Sequence, residues 1–141
     1  MPIATGQQAL ASEQLKLHNA SGYLNFAAQT ALTIASGVIT FTQNWHRVDT
    51  EGSAATDDLD TINTGVDGHL LILRPASDAR TVVIRHNAGN ILCQGENNII
   101  LDDIDDWATL IYDGAQSKWL AASGVNEASP AQKMFAFTYF S

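Results

Sequence analysis

The sequence predicts an all-β fold, an antiparallel β-sandwich or barrel-like domain with a short N-terminal helix and a C-terminal strand arm. Three observations carry this. From Ala31 onward, short runs rich in β-branched and aromatic residues recur between Gly, Asn and Asp turns. Several of these runs alternate apolar and polar residues with the period of a strand. The one good helix signature is confined to residues 5–19.

That helix is marked by Thr5 with Gln8 three residues on, a capping-box spacing, and by Asn19 and Gly22 as stop signals. Leu10, Gln14 and Leu17 fall on one face, so its apolar stripe is thin. Leu10 and Leu17 are candidate assembly contacts, on the chain's own domain or on a neighbouring subunit.

The strands follow in order. Leu32 and Ile34, then Ile39 and Phe41, flank Ser36-Gly37 and predict a hairpin. Trp45–Val48 predicts a further strand. His69–Arg74 and Arg80–Arg85 are apolar between polar ends, which predicts central strands covered on both faces. Asn87–Asn90 reads as a turn, Ile91–Cys93 and Asn98–Leu101 as short strands. Trp107–Tyr112 is expected to pair with Lys118–Ala121 across Asp113–Gln116. Leu71, Leu73, Val82, Ile84, Leu110 and Trp119 are the expected core.

Residues 122–133 have linker composition. Met134–Phe140 then alternates Phe135, Phe137 and Tyr139 against Met134, Ala136, Thr138 and Phe140. Unpaired, such a segment invites aggregation, so it must be buried in its own sheet or in another subunit's. Phe135, Phe137 and Tyr139 are therefore candidate assembly contacts. The chain divides into an N-terminal arm over 1–30, a β-domain over 31–121, and a linker with a C-terminal strand arm over 122–141.

At 141 residues the chain is long enough for one domain with a real core. Fifteen acids against seven bases leave a formal charge of -8. That balance argues against nucleic acid and anionic membranes, both of which are recognised through Lys and Arg. No apolar run exceeds four residues, the length of Leu70–Leu73, far below the roughly 20 residues of a membrane helix. The first residues carry neither a basic region nor an apolar stretch, which predicts cytoplasmic synthesis. A single cysteine, Cys93, allows no intrachain disulfide and no cysteine cluster for zinc.

Catalytic signatures were sought by their chemistry. A nucleophile elbow, a phosphate-cradling Gly loop, a dinucleotide fingerprint and a His-Glu-x-x-His helix are all missing from the sequence. Cys93 sits in a predicted strand, as a small buried apolar residue does. His18, His46, His69 and His86 share no ligand-like spacing. Asp49, Glu51, Asp57, Asp58, Asp60 and Asp67 form one acidic stretch, and Asp102, Asp103, Asp105 and Asp106 another. Neither has an EF-hand spacing, so turn-forming, solvated Asp is the expectation, with calcium as the alternative. No catalytic, cofactor or metal residue is expected.

Leu32–Thr40, Val48–Gly52 and Asp57–Asn63, followed by Asp67-Gly68 before Leu70–Arg74, Ala79–Val83, Gly89–Ile91, and Leu110–Gly114 leading to Trp119-Leu120, form an ordered string of short motifs. This string resembles a domain common in structural proteins of tailed bacteriophages. The resemblance implies a non-enzymatic virion-surface protein of a family that is often trimeric, so this chain is expected to form a homotrimer and to have other virion proteins, such as the major capsid protein, as partners. Without heptads, collagen-like or shaft-like repeats, a capsid decoration or cement subunit is expected. A tail-fibre or receptor-binding tip that holds a host glycan is the second reading. A carbohydrate-active enzyme with two facing carboxylates is the third.

Overall fold

The structure, a computed structural model, describes residues 24–123. The expected helix with Leu10 and Leu17, and the C-terminal strand with Phe135, Phe137 and Tyr139, lie outside the described residues.

Eleven strands run in the order β1 Thr30–Thr33, β2 Val38–Ile39, β3 Trp45–Asp49, β4 Thr56–Leu59, β5 Thr61–Ile62, β6 Leu70–Pro75, β7 Thr81–Ile84, β8 Ile91–Cys93, β9 Ile99–Leu101, β10 Ala108–Asp113 and β11 Lys118–Ser123. They form a six-stranded sheet, β1-β3-β6-β10-β11-β8, a three-stranded sheet, β4-β7-β9, and a two-stranded one, β2-β5. The described residues are thus all-β, but the arrangement is not the antiparallel sandwich that the sequence predicts.

Most ladders are parallel. β1 pairs with β3, β3 with β6, β4 with β7, β2 with β5 and β8 with β11, all in parallel. Successive passes of the chain therefore stack like the coils of a solenoid, Trp45 over Ile72 in one sheet and Asp57 over Val82 in the next. The last part of the chain departs from this. β10 is antiparallel to β6 and to β11, and β9 is antiparallel to β7. The β10–β11 hairpin is the one expected, with Asp113 opposite Lys118.

The expected hairpin at Ser36-Gly37 is corrected. Both residues take positive φ, 52° and 79°, and Ala35 and Val38 exchange backbone hydrogen bonds of 2.9 and 3.1 Å, so the tight turn forms. Beyond it the arms separate. Ile34 N–H donates to Asp49 at 2.9 Å, and β2 pairs with β5 instead of β1. The turn makes a corner between two sheets, a placement that local turn chemistry does not specify.

Side chains alternate across each strand. β6 and β7 bury every second residue and leave the others half-exposed, so the expectation that both are covered on two faces is also corrected. The inner set includes Leu71, Leu73, Val82, Ile84, Leu110 and Trp119, each no more than 1% exposed, as the sequence predicts. Cross-strand neighbours continue the core, with Leu71 beside Leu110 and Leu110 beside Ala121.

The two buried polar residues among those described, His46 and Thr50, both have hydrogen-bond partners, Thr50 Oγ1 donating to the Ala54 carbonyl at 2.6 Å. Buried His46 accepts the N–H groups of Thr42 and Gln43 at Nε2, both at 3.1 Å, and its Nδ1 lies 3.2 Å from the Thr30 carbonyl. Two backbone donors on Nε2 place the ring proton on Nδ1. The neutral imidazole thereby fastens the loop before β3 to the edge strand β1.

Cys93 is buried on β8, and burial pushes its thiol pKa above the ordinary value. The thiolate is the reactive form. Native protein is therefore expected to resist a thiol-disulfide reagent that labels Cys93 fully in urea; comparable labelling rates in the two states would contradict this burial.

Candidate functional site

The outer face of the six-stranded sheet is the most distinctive surface. Because side chains alternate, residues between the core positions line up across it. Trp45 stands beside Ile72, Ile72 beside Thr109, and Thr109 beside Ala122. The adjacent row is aliphatic throughout, Leu70 beside Ile111, Ile111 beside Leu120 and Leu120 beside Leu92. Ile111 and Trp107 are each 46% exposed. A contiguous exposed apolar surface marks an interaction site, whereas isolated exposed apolar residues carry no such meaning.

Phe26, Trp45, Ile72 and Trp107 enclose a groove of about 420 Å³ on this face. Each arrives by a different route. Trp45 and Ile72 are outward residues of paired strands, Trp107 immediately precedes β10, and Phe26 lies on the chain leading into β1. The walls are hydrocarbon and aromatic.

Charge lies at the rim. Arg47 and Arg74 are opposite one another on β3 and β6, two residues beyond Trp45 and Ile72 and so on the same face. The described salt bridges engage Arg80 and Arg85 only, and Nε of Arg74 is buried without a hydrogen-bond partner. A small basic strip thus borders an apolar face on a chain of net charge -8.

The acidic stretches do other work. Arg85 holds Asp60 at 2.6 Å and Asp58 at 3.2 Å, and the hydrogen bond to Asp60 raises the guanidinium pKa. Asp49 pairs with Arg80 at 2.9 Å. Glu51 accepts Ser36 N–H, Asp57 accepts Glu51 N–H, and Asp67 accepts Gly114 N–H. In the second stretch, Asp106 accepts the N–H groups of Asp102 and Asp103 at 3.0 and 3.1 Å, and Asp103 accepts that of Asp105 at 2.8 Å. These are turn-closing carboxylates. Among the described residues no group of three or more His, Cys, Asp or Glu is placed to hold a metal. Asp113 is similar, its pKa lowered chiefly by the Gln116 side chain.

Of the histidines, His46 is locked as above. His86 accepts Cys93 N–H at 3.0 Å, and His69 lies edge-on to Phe41 at 4.6 Å between ring centroids. His18 is outside the described residues. The candidate contacts Leu10, Leu17, Phe135, Phe137 and Tyr139 lie outside them as well.

The groove itself was missed in sequence. Trp45 falls in a predicted strand and Trp107 at the start of another, yet nothing in their spacing joins residues so far apart. The available signal was alternation: in Leu70-Leu71-Ile72-Leu73, a run apolar at both parities, the second parity has to meet solvent or a partner. No helix among the described residues is long and apolar enough to cross a membrane. No protein-family model matches the chain, and no curated protein matches it.

Proposed function

We propose that this chain is a non-enzymatic surface subunit of a tailed-phage particle, a capsid decoration or cement protein that works through protein–protein contact. The observation that carries the reading is the outer face of the six-stranded sheet, where Trp45, Ile72, Trp107 and Ile111 form an apolar surface bordered by Arg47 and Arg74. Interfaces draw on this mixture, with aromatic and Arg anchors surrounded by apolar area. The motif string over residues 31–121 supplies the class of assembly.

The composition of the groove separates this reading from the glycan-binding alternative. A sugar site needs donors and acceptors aimed at hydroxyls beside its aromatic platform, and the residues lining this groove are Phe, Trp, Ile and Trp. A protein side chain suits such walls better than a sugar. For the enzymatic reading, the neighbouring carboxylates Asp58 and Asp60 are both tied to Arg85, so neither stands free as a general acid.

Density-gradient purification of particles from a lysate of the virus encoding this chain tests the proposal. The expected result is co-sedimentation with the particle in fixed proportion to the major capsid protein. Recovery only in the soluble fraction would overturn it.

A further inference from the structure

We infer that the groove formed by Phe26, Trp45, Ile72 and Trp107 is the docking site for the C-terminal segment Met134–Phe140 of a second copy of this chain. The inference rests on the reading of the chain as an assembly subunit and names the contact that joins its copies.

Chemistry selects the segment. Met134–Phe140 contains no charged residue and presents Phe135, Phe137 and Tyr139 at every second position. The groove is lined by three aromatic residues and one aliphatic. An extended segment carrying rings on one side matches it as a row of anchors matches a set of holes. The thin stripe of Leu10 and Leu17 offers far less area.

Position selects a partner copy. Ser123, the last residue of β11, donates its hydroxyl to the carbonyl of Trp107 at 3.3 Å, so the chain leaves the sheet at the rim of its own groove. β11 lies between β10 and β8, and both of its edges are taken. The segment therefore has no open ladder beside its exit. Ten residues separate Ser123 from Met134, enough to extend to about 35 Å. That reach far exceeds what a groove already touching Ser123 requires, and it suits passage to a neighbour. Reciprocal donation around a ring, each copy giving a segment and receiving one, closes without exposed grooves.

Charge agrees. Copies of net charge -8 repel, yet the receiving face carries Arg47 and Arg74 side by side, while acidic turns occupy Asp49–Asp67 and Asp102–Asp106. An approaching copy meets a strip of opposite sign on that face.

The test uses the full chain with photoreactive benzoylphenylalanine in place of Phe137, which keeps an aromatic ring at that position. This unlabelled protein is mixed with nitrogen-15-labelled native chain and irradiated, and cross-linked peptides are assigned by mass spectrometry. The expected products join the unlabelled C-terminal peptide to labelled peptides containing Ile72 or Trp107. Trp45→Asp in the labelled chain is expected to reduce this yield at least about tenfold, with circular dichroism unchanged because Trp45 points outward. Cross-links confined to the unlabelled chain would show the segment on its own groove and overturn the inference, as would cross-links elsewhere or none. Gradient co-sedimentation of the native chain, scored separately, reports on the functional reading whichever peptides are joined.

Discussion

Trp119→Ala is expected to lower the unfolding free energy by about 3 to 5 kcal/mol. For a domain whose whole stability is about 5 to 15 kcal/mol, that is the difference between a folded and a marginal protein. Trp119 is fully buried on β11 and touches the rings of Tyr112, Phe41 and His69, with centroids 5.2, 5.4 and 5.8 Å away. Its Nε1 donates to the Asn63 carbonyl at 3.2 Å, so the indole ties the large sheet to the segment after β5. Alanine removes the area, the ring contacts and the hydrogen bond together. Trp119→Phe keeps most of the first two and is expected to lose less than half as much. Urea denaturation followed by circular dichroism measures both, and a Trp119→Ala loss below about 1 kcal/mol would show that the ring is not central to the core.

Gly89→Ala is expected to cost about 1 to 3 kcal/mol or more through crowding alone. A Cβ at Gly89 would collide with the Thr61 hydroxyl and the Asp60 backbone carbonyl. Retreat is blocked by the bonds around it. Lys118 Nζ donates to the Gly89 carbonyl at 2.7 Å, Asn90 bonds both the N–H and the carbonyl of Ile62, and Trp119 N–H donates to the Asn90 carbonyl at 2.8 Å. Asn90 thus acts as a side-chain rung between β5 and the β8–β11 ladder, and Gly89 is what lets the two approach. Gly68 provides the contrast. Its φ is +84° but open space surrounds it, so alanine there meets backbone strain without collision. Thermal unfolding is expected to rank Gly89→Ala below Gly68→Ala; the reverse order would contradict the close approach.

These two sites also show how legible the fold was. The strands at Leu70–Pro75, Thr81–Ile84, Ala108–Asp113 and Lys118–Ser123 follow from runs of β-forming residues with turn signals between them. Their inner faces follow from alternation. Apart from the β10–β11 hairpin, which local turn chemistry gives, strand pairing was not legible, because parallel stacking joins residues distant along the chain and leaves no local trace. β4 was missed for a different reason. Thr56-Asp57-Asp58-Leu59 contains two residues depleted in strands, and Asp58 is paired there with Arg85, the residue that follows the partner strand β7. β5 is two residues long, and its signal was Ile62 alone.

The interaction face was half legible. Met134–Phe140 declared from composition that it needs a cover, and Leu70–Leu73 declared an excess of apolar residues. Neither indicated that Trp45, Ile72 and Trp107 meet, because that depends on the register of β3 with β6 and on the entry to β10.

The proposed attachment is through the outer face of the six-stranded sheet, which would hold this chain in a particle. Cryo-electron microscopy of intact tailed particles carrying the chain tests it most directly. This attachment predicts the β-domain on the particle surface with Trp45, Ile72 and Trp107 covered by neighbouring protein. A domain docked through another face, with these three residues turned to solvent, would contradict it.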